Sequence, residues 1–167
     1  EKDMTLPEQE RERFCQVLHH SRTSLYRLAF SITQNSSDAQ EAVAEAVCRA
    51  YERYPQLREK EKLPRWLLKI TANEARRLCQ RRGRTVSWDD LPTEPAIPGR
   101  ETGDDTLWQA VQTLPRDQRE AVVLFYYEDL PTEEIARIVG TSPGAVRVRL
   151  SRAREKLRSI LKEGDYG

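Results

Sequence analysis

A run of basic side chains near the end of the chain has the residue types and spacing of a DNA-binding helix. Residues 141–162 contain seven basic side chains and a single acid, Glu155. A solvated helix face normally mixes both signs, because like charges four residues apart repel each other. A helix of this composition is more typical of one that contacts a polyanion. The predicted DNA-binding residues of this run are Ser142, Arg147, Val148, Arg149, Ser151, Arg152 and Arg154.

Their positions along the helix divide these residues by role. Arg147, Arg149, Ser151 and Arg152 lie near the predicted N-terminus, the part of such a helix that reaches base edges in the major groove. Val148 is placed to pack against a thymine methyl group, whereas residues further along are expected to contact phosphates.

The segment in front of this run has the pattern of a helix-turn-helix. Thr132 is predicted to cap a first helix that Gly140 ends, and Ser142 is predicted to cap the second helix. A small residue at Ala136 lets the two helices touch, and Val146 buries the second helix against the first. Glycine is expected at position 140 because a Cβ there disfavours a left-handed turn.

The first half of the chain carries an acidic helix next to a basic one. The stretch 38–47 contains three acids and no base. From charge alone, this stretch fits a docking face or an ordinary solvated helix equally well. The neighbouring helix ends in arginines without an interleaved acid, which favours a second nucleic-acid contact. These arginines are Arg76, Arg77, Arg81, Arg82 and Arg84.

Hydrophobic periodicity predicts helices on both sides of one irregular segment. Apolar residues recur at three- and four-residue steps through residues 14–79 and again through 107–161. Ser37 and Gln40 form a capping-box pattern, and Pro64 suits a first helical turn. We therefore predict an all-α protein made of two small helical domains joined by a flexible acidic linker, the second domain containing the helix-turn-helix.

The predicted domains differ sharply in charge from the linker. Residues 1–85 carry 17 basic and 12 acidic side chains, residues 86–105 carry one and six, and residues 106–167 carry 10 and nine. The nearly neutral total, 28 Lys and Arg against 27 Asp and Glu, is therefore a sum of unlike segments. We expect the acidic linker to shield the basic surfaces of both domains until they separate.

The composition also argues against several other classes of protein. The longest apolar run, residues 121–127, is far shorter than the roughly 18 residues of a membrane span, and no secretory signal opens the chain. An odd set of three cysteines without a C-x-x-C pair predicts a reduced, intracellular protein. Cys15 and His19 could share a helix face, but ordinary packing is favoured over a metal site because no further ligands are near in sequence.

Catalytic motifs are lacking from the sequence. No G-x-S-x-G, H-E-x-x-H or Walker loop occurs. The acid pairs at 89–90 and 104–105 leave a metal-carboxylate enzyme as an alternative, although they fall in the predicted linker. We predict no enzymatic activity, no cofactor and no bound metal.

Taken together, these motifs resemble bacterial RNA polymerase sigma factors of the extracytoplasmic-function (ECF) group. The resemblance covers roughly residues 14–162 and rests on two ordered sets of motifs. In the first domain the matching residues are Asp38, Ala39, Glu41, Val43, Glu45, Arg49 and Ala50, then Trp66, Leu67, Ile70, Ala72 and Asn73. In the second they are Leu114, Pro115, Arg119, Leu130, Glu134, Ile135, Ala136, Gly140, Gly144, Val146, Arg147, Arg149, Leu150, Arg152, Ala153 and Arg154.

The resemblance implies a cytoplasmic initiation factor that binds core RNA polymerase and promoter DNA, with an anti-sigma factor as a further partner and no membrane contact of its own. It implies that the second domain reads the minus-thirty-five element. It assigns core polymerase binding to Asp38, Glu41, Val43, Glu45 and Arg49. It assigns recognition and melting of the minus-ten element to Lys60, Lys62, Arg65, Trp66, Lys69, Asn73, Arg76 and Arg77.

Departures from the family pattern limit which properties of the family can be transferred to this chain. Ala42 and Ala44 stand where the family often has Leu and Gln, and Ala145 and Val148 stand where Thr and Ser are common. Promoter preference is therefore not transferred from any relative. The alternative function is a stand-alone helix-turn-helix regulator, which would bind duplex DNA tightly without polymerase.

Overall fold

The computed structural model describes residues 6–83 and 105–164. These residues form helices and no strand, which confirms the all-α prediction. No helix among them is long and apolar enough to cross a membrane. The predicted linker lies outside the described residues except for its last position, Asp105. The α-helices are α1 (Glu8–Thr33), α2 (Ser36–Arg53), α3 (Leu63–Arg82), α4 (Asp105–Gln112), α5 (Arg116–Val122), α6 (Thr132–Val139) and α7 (Pro143–Gly164).

In the first domain, α1, α2 and α3 pack pairwise around one core. The ring of Phe14 from α1 makes edge contacts with Tyr51 and Tyr54, each at 5.3 Å between ring centroids. Helix α2 turns a row of alanines toward this core, because small side chains let helix backbones approach closely. The fully buried positions of that row are Ala39, Ala42, Ala46 and Ala50.

The connection between α1 and α2 differs from the predicted capping box. Gln34 has a left-handed backbone (φ 56°), and its N–H bonds to the carbonyl of Phe30, so α1 ends at Thr33. The cap of α2 is Asn35, whose side-chain oxygen accepts the N–H of Asp38 at 2.9 Å. The prediction of a Ser37 cap was wrong, because α2 already begins at Ser36.

Two prolines mark helix boundaries, and the boundary at Pro64 was predicted from the sequence. Pro55 lies in a short 3-10 turn (Tyr54–Gln56) directly after α2. Pro64 lies in the first turn of α3, where its missing N–H leaves no hydrogen bond unmade. A second 3-10 turn (Lys60–Lys62) leads into α3, so the connection between α2 and α3 contains two tight turns.

The helix-turn-helix of the second domain is formed by α6 and α7. Gly140 has φ 78°, and its N–H bonds to the carbonyl of Ala136, which confirms the predicted turn. The Ser142 hydroxyl accepts the N–H of Ala145 at 3.1 Å, as expected for a cap of α7. The prediction that Thr132 caps α6 was wrong, because Thr132 is already helical and follows Pro131 at the cap position.

Helix α7 is the central element of this domain. Its buried residues Val146, Leu150, Ala153 and Leu157 recur at three- and four-residue steps. They pack against α4, α5 and α6. Helix α5 continues directly into a π-helical segment, Val123–Tyr127, which changes the direction in which the following side chains point.

The described parts of the two domains also contact each other. Helix α1 packs against α5 and the π-helical segment, and α3 packs against α6. The two helical units are therefore joined by a direct interface as well as by the chain between them.

Candidate nucleic-acid and partner interfaces

The exposed face of α7 carries only part of the predicted DNA-binding set. Val148 is 47% exposed although it is apolar, and Ser151 and Arg152 are exposed beside it. Arg147 is exposed on the same side, one residue before Val148. These four side chains lie within three turns of the helix N-terminus, so they form one continuous surface that can enter a major groove.

Two other arginines of α7 are held at the edges of that surface. Arg149 lies toward α5, with its Nε 3.7 Å from a carboxylate oxygen of Asp117. Arg154 donates from Nε to the Tyr126 hydroxyl at 2.7 Å and lies over the rings of Phe125 and Tyr126. The π-helical segment thus fixes the orientation of a cation on α7, a role of these aromatic residues that was not predicted from the sequence.

The predicted minus-ten residues of α3 share one exposed strip. Lys69 and Asn73 are exposed, and Trp66 is half-buried where it packs against the core. Arg76 donates to the Asn73 side chain at 3.4 Å. The structure therefore brings these four residues together on one side of the helix, together with Arg65.

The predicted lysines before α3 have different surroundings. Lys60 donates from Nζ to the carbonyls of Tyr54 and Leu57, at 2.7 and 2.8 Å, and lies over the ring of Tyr54. It stabilises the turn between α2 and α3. Lys62 is exposed and forms a surface ion pair with Glu59 at 2.9 Å.

Three arginines of the α3 strip are engaged by carboxylates. Arg77 pairs with Glu74 of the same helix at 2.8 Å. Arg65 and Arg76 pair instead with acids of the second domain. The Arg65 Nη1 lies 3.2 Å from Glu134, and the Arg76 Nη2 lies 2.8 Å from Glu120.

The predicted polymerase-binding residues of α2 do not share one surface. Asp38 is buried, and its Oδ1 lies 3.2 Å from the Nε of Arg82, so its carboxylate stabilises the packing of α2 on α3. The assignment of Asp38 to core polymerase binding, which the resemblance implied, stays a prediction, and in this structure its carboxylate lies against α3. Arg49 is also partly engaged, at 2.8 Å from the buried carboxylate of Glu74.

The remaining α2 residues lie on an exposed ridge. Glu41 and Glu45 face solvent together with Ala44, and Val43 lies on the side toward α1. A cleft of about 620 Å³ lies between the two helices on that side. It is lined by Val43 and Ala44 from α2 and by His19 and Tyr26 from α1. Val43 was among the residues predicted to bind polymerase, but the α1 residues of the cleft were not predicted, because periodicity does not indicate which neighbouring helix leaves a gap.

The cleft continues along the same two helices as a more apolar groove of about 440 Å³. Its apolar lining residues include Phe14, Leu18, Val47 and Tyr51. The exposed thiols of Cys15 and Cys48 lie at its edge. Among residues 6–83 and 105–164, no group of three or more His, Cys, Asp and Glu side chains is placed to hold a metal ion.

Burial shifts the pKa values of two side chains near the contact between the domains. It lowers the pKa of the Arg119 guanidinium to about 10, and the nearby charge of Arg116 acts in the same direction. It raises the pKa of the Cys79 thiol, which donates to the carbonyl of Ile32 at the end of α1. At neutral pH the Arg119 side chain therefore remains charged while it is largely buried.

The two helical units match two sequence families in the order predicted. The family described as Sigma-70 region 2 matches residues 17–85, and the family described as Sigma-70, region 4 matches residues 104–157. The chain is similar to RNA polymerase sigma factor SigV of Bacillus subtilis, with 32% identity over 84% of this chain and 86% of that protein. It is also similar to ECF RNA polymerase sigma factor EcfG of Rhodopseudomonas palustris, with 32% identity over 83% of this chain and 79% of that protein.

Solved structures are similar across both domains. One is the sigma factor RpoE of Bartonella quintana, determined in complex with the anti-sigma factor NepR. The alignment covers 93% of this chain and 98% of the RpoE chain, with a TM-score of 0.75 and 25% identity. CnrH, determined in complex with the cytosolic domain of CnrY, shares the fold with a TM-score of 0.66 at 22% identity.

Proposed function

The chain belongs to the ECF group of sigma-70 factors, and from that premise we propose how its surfaces are used in transcription initiation. In this proposal the α2 ridge binds core RNA polymerase. The exposed strip of α3 recognises and helps melt the minus-ten element, and the exposed face of α7 reads the minus-thirty-five element.

The observation that carries this proposal is the presence of two exposed cationic surfaces on separate domains. One is the α3 strip, with Lys69, Asn73 and the arginines around them. The other is the α7 face with Arg147 and Arg152. A stand-alone regulator needs only the second surface, whereas a factor that recognises two promoter elements needs both.

Within α7, we assign base reading to the exposed residues and positioning to the paired ones. Arg147 and Arg152 have the donor geometry for guanine edges, and Val148 offers an apolar surface for a thymine methyl group. Arg149 and Arg154 are oriented by Asp117 and Tyr126, so they suit phosphates at the groove edge.

For polymerase binding, the ridge and the cleft beside it are the supported surface. Glu41 and Glu45 supply negative charge, while Val43 and Ala44 supply apolar area next to the cleft. An amphipathic helix with basic residues on one side fits this combination. Asp38 and Arg49 act indirectly in this proposal, by holding α2 against α3.

An anti-sigma factor is the proposed regulatory partner. The similar sigma factor RpoE was determined in complex with the anti-sigma factor NepR. Its structure aligns with 93% of this chain. We also propose that the protein acts in the cytoplasm, where polymerase and promoters are, and that its role is binding rather than catalysis.

Reconstituted transcription tests the proposed function. The protein is combined with bacterial core RNA polymerase on a genomic promoter library, and transcript start sites are sequenced. We expect start sites with a shared upstream element that core polymerase alone does not use. Start sites identical with and without the protein would contradict the proposal.

Charge reversal on α2 tests the polymerase-binding surface. The variant Glu41→Lys with Glu45→Lys is expected to lose most of its binding to core polymerase, measured by fluorescence anisotropy. The matched control is Glu8→Lys with Glu12→Lys, which reverses two exposed acids at the same spacing on α1. Equal binding by the two variants would remove the ridge from the interface.

A further inference from the structure

The π-helical segment after α5 turns two aromatic side chains toward α7. A π-helical turn holds more residues than an α-helical turn, so it changes the direction of the side chains in it. Phe125 and Tyr126 lie edge to face, with 4.9 Å between their ring centroids. The guanidinium of Arg154 lies 5.8 Å from both centroids. A cation of α7 is therefore held by a different element of the same domain.

The hydrogen bond between Tyr126 and Arg154 leaves donors of both side chains without an acceptor. Tyr126 is 48% exposed, and its hydroxyl oxygen accepts a bond from the Arg154 Nε at 2.7 Å. Because the oxygen acts as the acceptor there, its own proton can be donated in another direction. Nη1 and Nη2 of Arg154 carry the other guanidinium donors, and they bond to no residue that the structure describes. Two neighbouring side chains thus present donors to a group that the chain itself does not supply.

The charge around these donors selects an anion. Arg158 follows Arg154 by one helical turn and is exposed. Like charges four residues apart repel each other, so an anion bound beside them lowers that repulsion. The planar fork of an arginine matches the oxygens of a phosphate, and tyrosine hydroxyls are also common donors to DNA phosphates. A phosphate diester therefore has the chemistry that this pair would bind.

The position of Arg154 on α7 places this pair beside the reading face. Arg147, Ser151, Arg154 and Arg158 follow one another at steps of four, three and four residues, so they lie along one side of the helix. Helix α7 has 22 residues, which is roughly 33 Å of length, whereas the major groove is about 12 Å wide. A helix whose first turns read bases therefore passes the edge of the groove before it ends. The phosphates of that edge are the anions nearest to the middle of α7.

We propose that Tyr126 is a DNA-binding residue outside the helix-turn-helix, and that its hydroxyl and the Arg154 guanidinium together hold one phosphate of the promoter backbone. Phe125 acts as a positioning residue through its ring. Because the guanidinium is oriented before DNA binds, less conformational entropy is lost than with an unrestrained arginine. The inference rests on the proposed function in one respect, namely that α7 enters the groove of the minus-thirty-five element.

The first test removes the hydroxyl and keeps the ring. Holoenzyme made with Tyr126→Phe is bound to a labelled promoter duplex taken from the transcription screen. We expect roughly 3- to 10-fold weaker binding for every promoter sequence, since a phosphate contact carries no sequence information. The control Tyr127→Phe removes a hydroxyl from the next residue, whose ring lies against Trp108 and Arg27, and it should bind like the unchanged protein. Equal binding by the two variants would overturn the proposal.

The salt dependence of binding separates the two members of the pair. Arg154→Gln removes a charge that neutralises a phosphate, so the plot of log K against log salt concentration should become shallower by about 0.9. Tyr126→Phe removes no charge, so it should lower the affinity and keep the slope of the unchanged protein. The combined variant should lose less than the sum of the two separate losses, because both groups hold the same phosphate. Strictly additive losses would overturn the shared site.

A neutral backbone analogue identifies the phosphate itself. Duplexes are prepared in which one phosphate at a time along the minus-thirty-five element is replaced by an uncharged methylphosphonate. We expect one position at which the replacement weakens binding of the unchanged holoenzyme but barely affects the variant Tyr126→Phe with Arg154→Gln. The absence of such a position would overturn the proposal. So would weaker binding of Tyr126→Phe to core polymerase without DNA, which would assign these donors to a polymerase carboxylate.

The variant Arg147→Ala keeps this inference distinguishable from the proposed function. If Arg147→Ala weakens promoter binding and Tyr126→Phe does not, the phosphate site alone is wrong. If neither Arg147→Ala nor Arg152→Ala changes promoter binding, α7 does not read the promoter and the proposed function is wrong as well.

Discussion

The guanidinium of Arg119 donates from Nε to the main-chain oxygen of Ser31, 2.5 Å away in the last turn of α1. Its Nη1 also donates to the carbonyl of Leu114, at 2.7 Å. The last carbonyls of a helix lack partners within the helix and carry partial negative charge. Helix α1 has no basic residue in its own last turn. Arg119 therefore supplies, from the other domain, the cation that this helix end lacks.

Replacing Arg119 should destabilise the protein and loosen the contact between the domains. We expect Arg119→Ala to lower the free energy of unfolding by about 2–4 kcal/mol, because it leaves buried carbonyl groups without donors. The measurement is urea unfolding followed by circular dichroism. Arg116→Ala removes an exposed arginine from the same helix and serves as the control. Similar losses in the two variants would argue against a capping role for Arg119.

Glu128 gives the stability of the protein a defined pH dependence. Burial raises the pKa of its carboxyl above 4.5, against the opposing effects of Ser24 and Arg27. A raised pKa means that the folded protein binds the proton more tightly, so this stabilisation is complete below pH 4.5 and is lost as the pH rises through the folded pKa.

The variant Glu128→Gln should therefore be more stable than the unchanged protein at pH 7. The difference should shrink as the pH falls toward 4.5, where the native carboxyl is protonated as well. Thermal unfolding at several pH values measures this. Glu133→Gln removes a charge from an exposed residue of α6 that does not contribute to the Glu128 pKa, and it provides the baseline. A Glu128→Gln protein that is less stable at pH 7 would contradict the direction of the pKa shift.

On α7, replacing Arg152 and replacing Arg149 should affect promoter binding in different ways. Arg152→Ala is expected to lose about 1–3 kcal/mol of discrimination between the preferred promoter and single-base variants of its upstream element. Arg149→Ala should weaken binding to all sequences similarly, because Arg149 is oriented toward Asp117 at the edge of the reading face. Holoenzyme binding to each promoter variant measures the two patterns. Uniform losses for both variants would assign Arg152 to the phosphate backbone.

The turn of the helix-turn-helix should resist substitution at Gly140. Its φ of 78° is strained for any side chain, although a Cβ there would meet no atom within 4 Å. Gly140→Ala is therefore expected to cost about 1 kcal/mol from backbone strain alone. At Gly144 the nearest atom is the Ser142 Oγ at 3.9 Å, so Gly144→Ala should be nearly neutral. Chemical unfolding of both variants measures the cost of strain at position 140, because neither site is crowded, and equal costs would exclude strain as the cause.

Local features of the sequence were sufficient to predict most of the architecture. Helical periodicity, the glycine at position 140 and the proline at position 64 act within a few residues of themselves, so they indicate helices and turns directly. The same reasoning was less accurate at caps. Asn35 rather than Ser37 caps α2, because neighbouring polar residues compete for one position and the difference between them is small.

By itself, the sequence determined an all-α protein with a helix-turn-helix and two basic helices, since residue type and spacing along one helix decide those features, and its motifs resembled those of sigma factors. Only the tertiary structure decided which of the charged side chains form ion pairs within the protein. It paired Asp38 with Arg82, Arg149 with Asp117, and both Arg65 and Arg76 with acids of the other domain. The physical reason is that spacing along a helix fixes which residues share a face, whereas the partner of that face depends on distant segments that packing brings within hydrogen-bond distance.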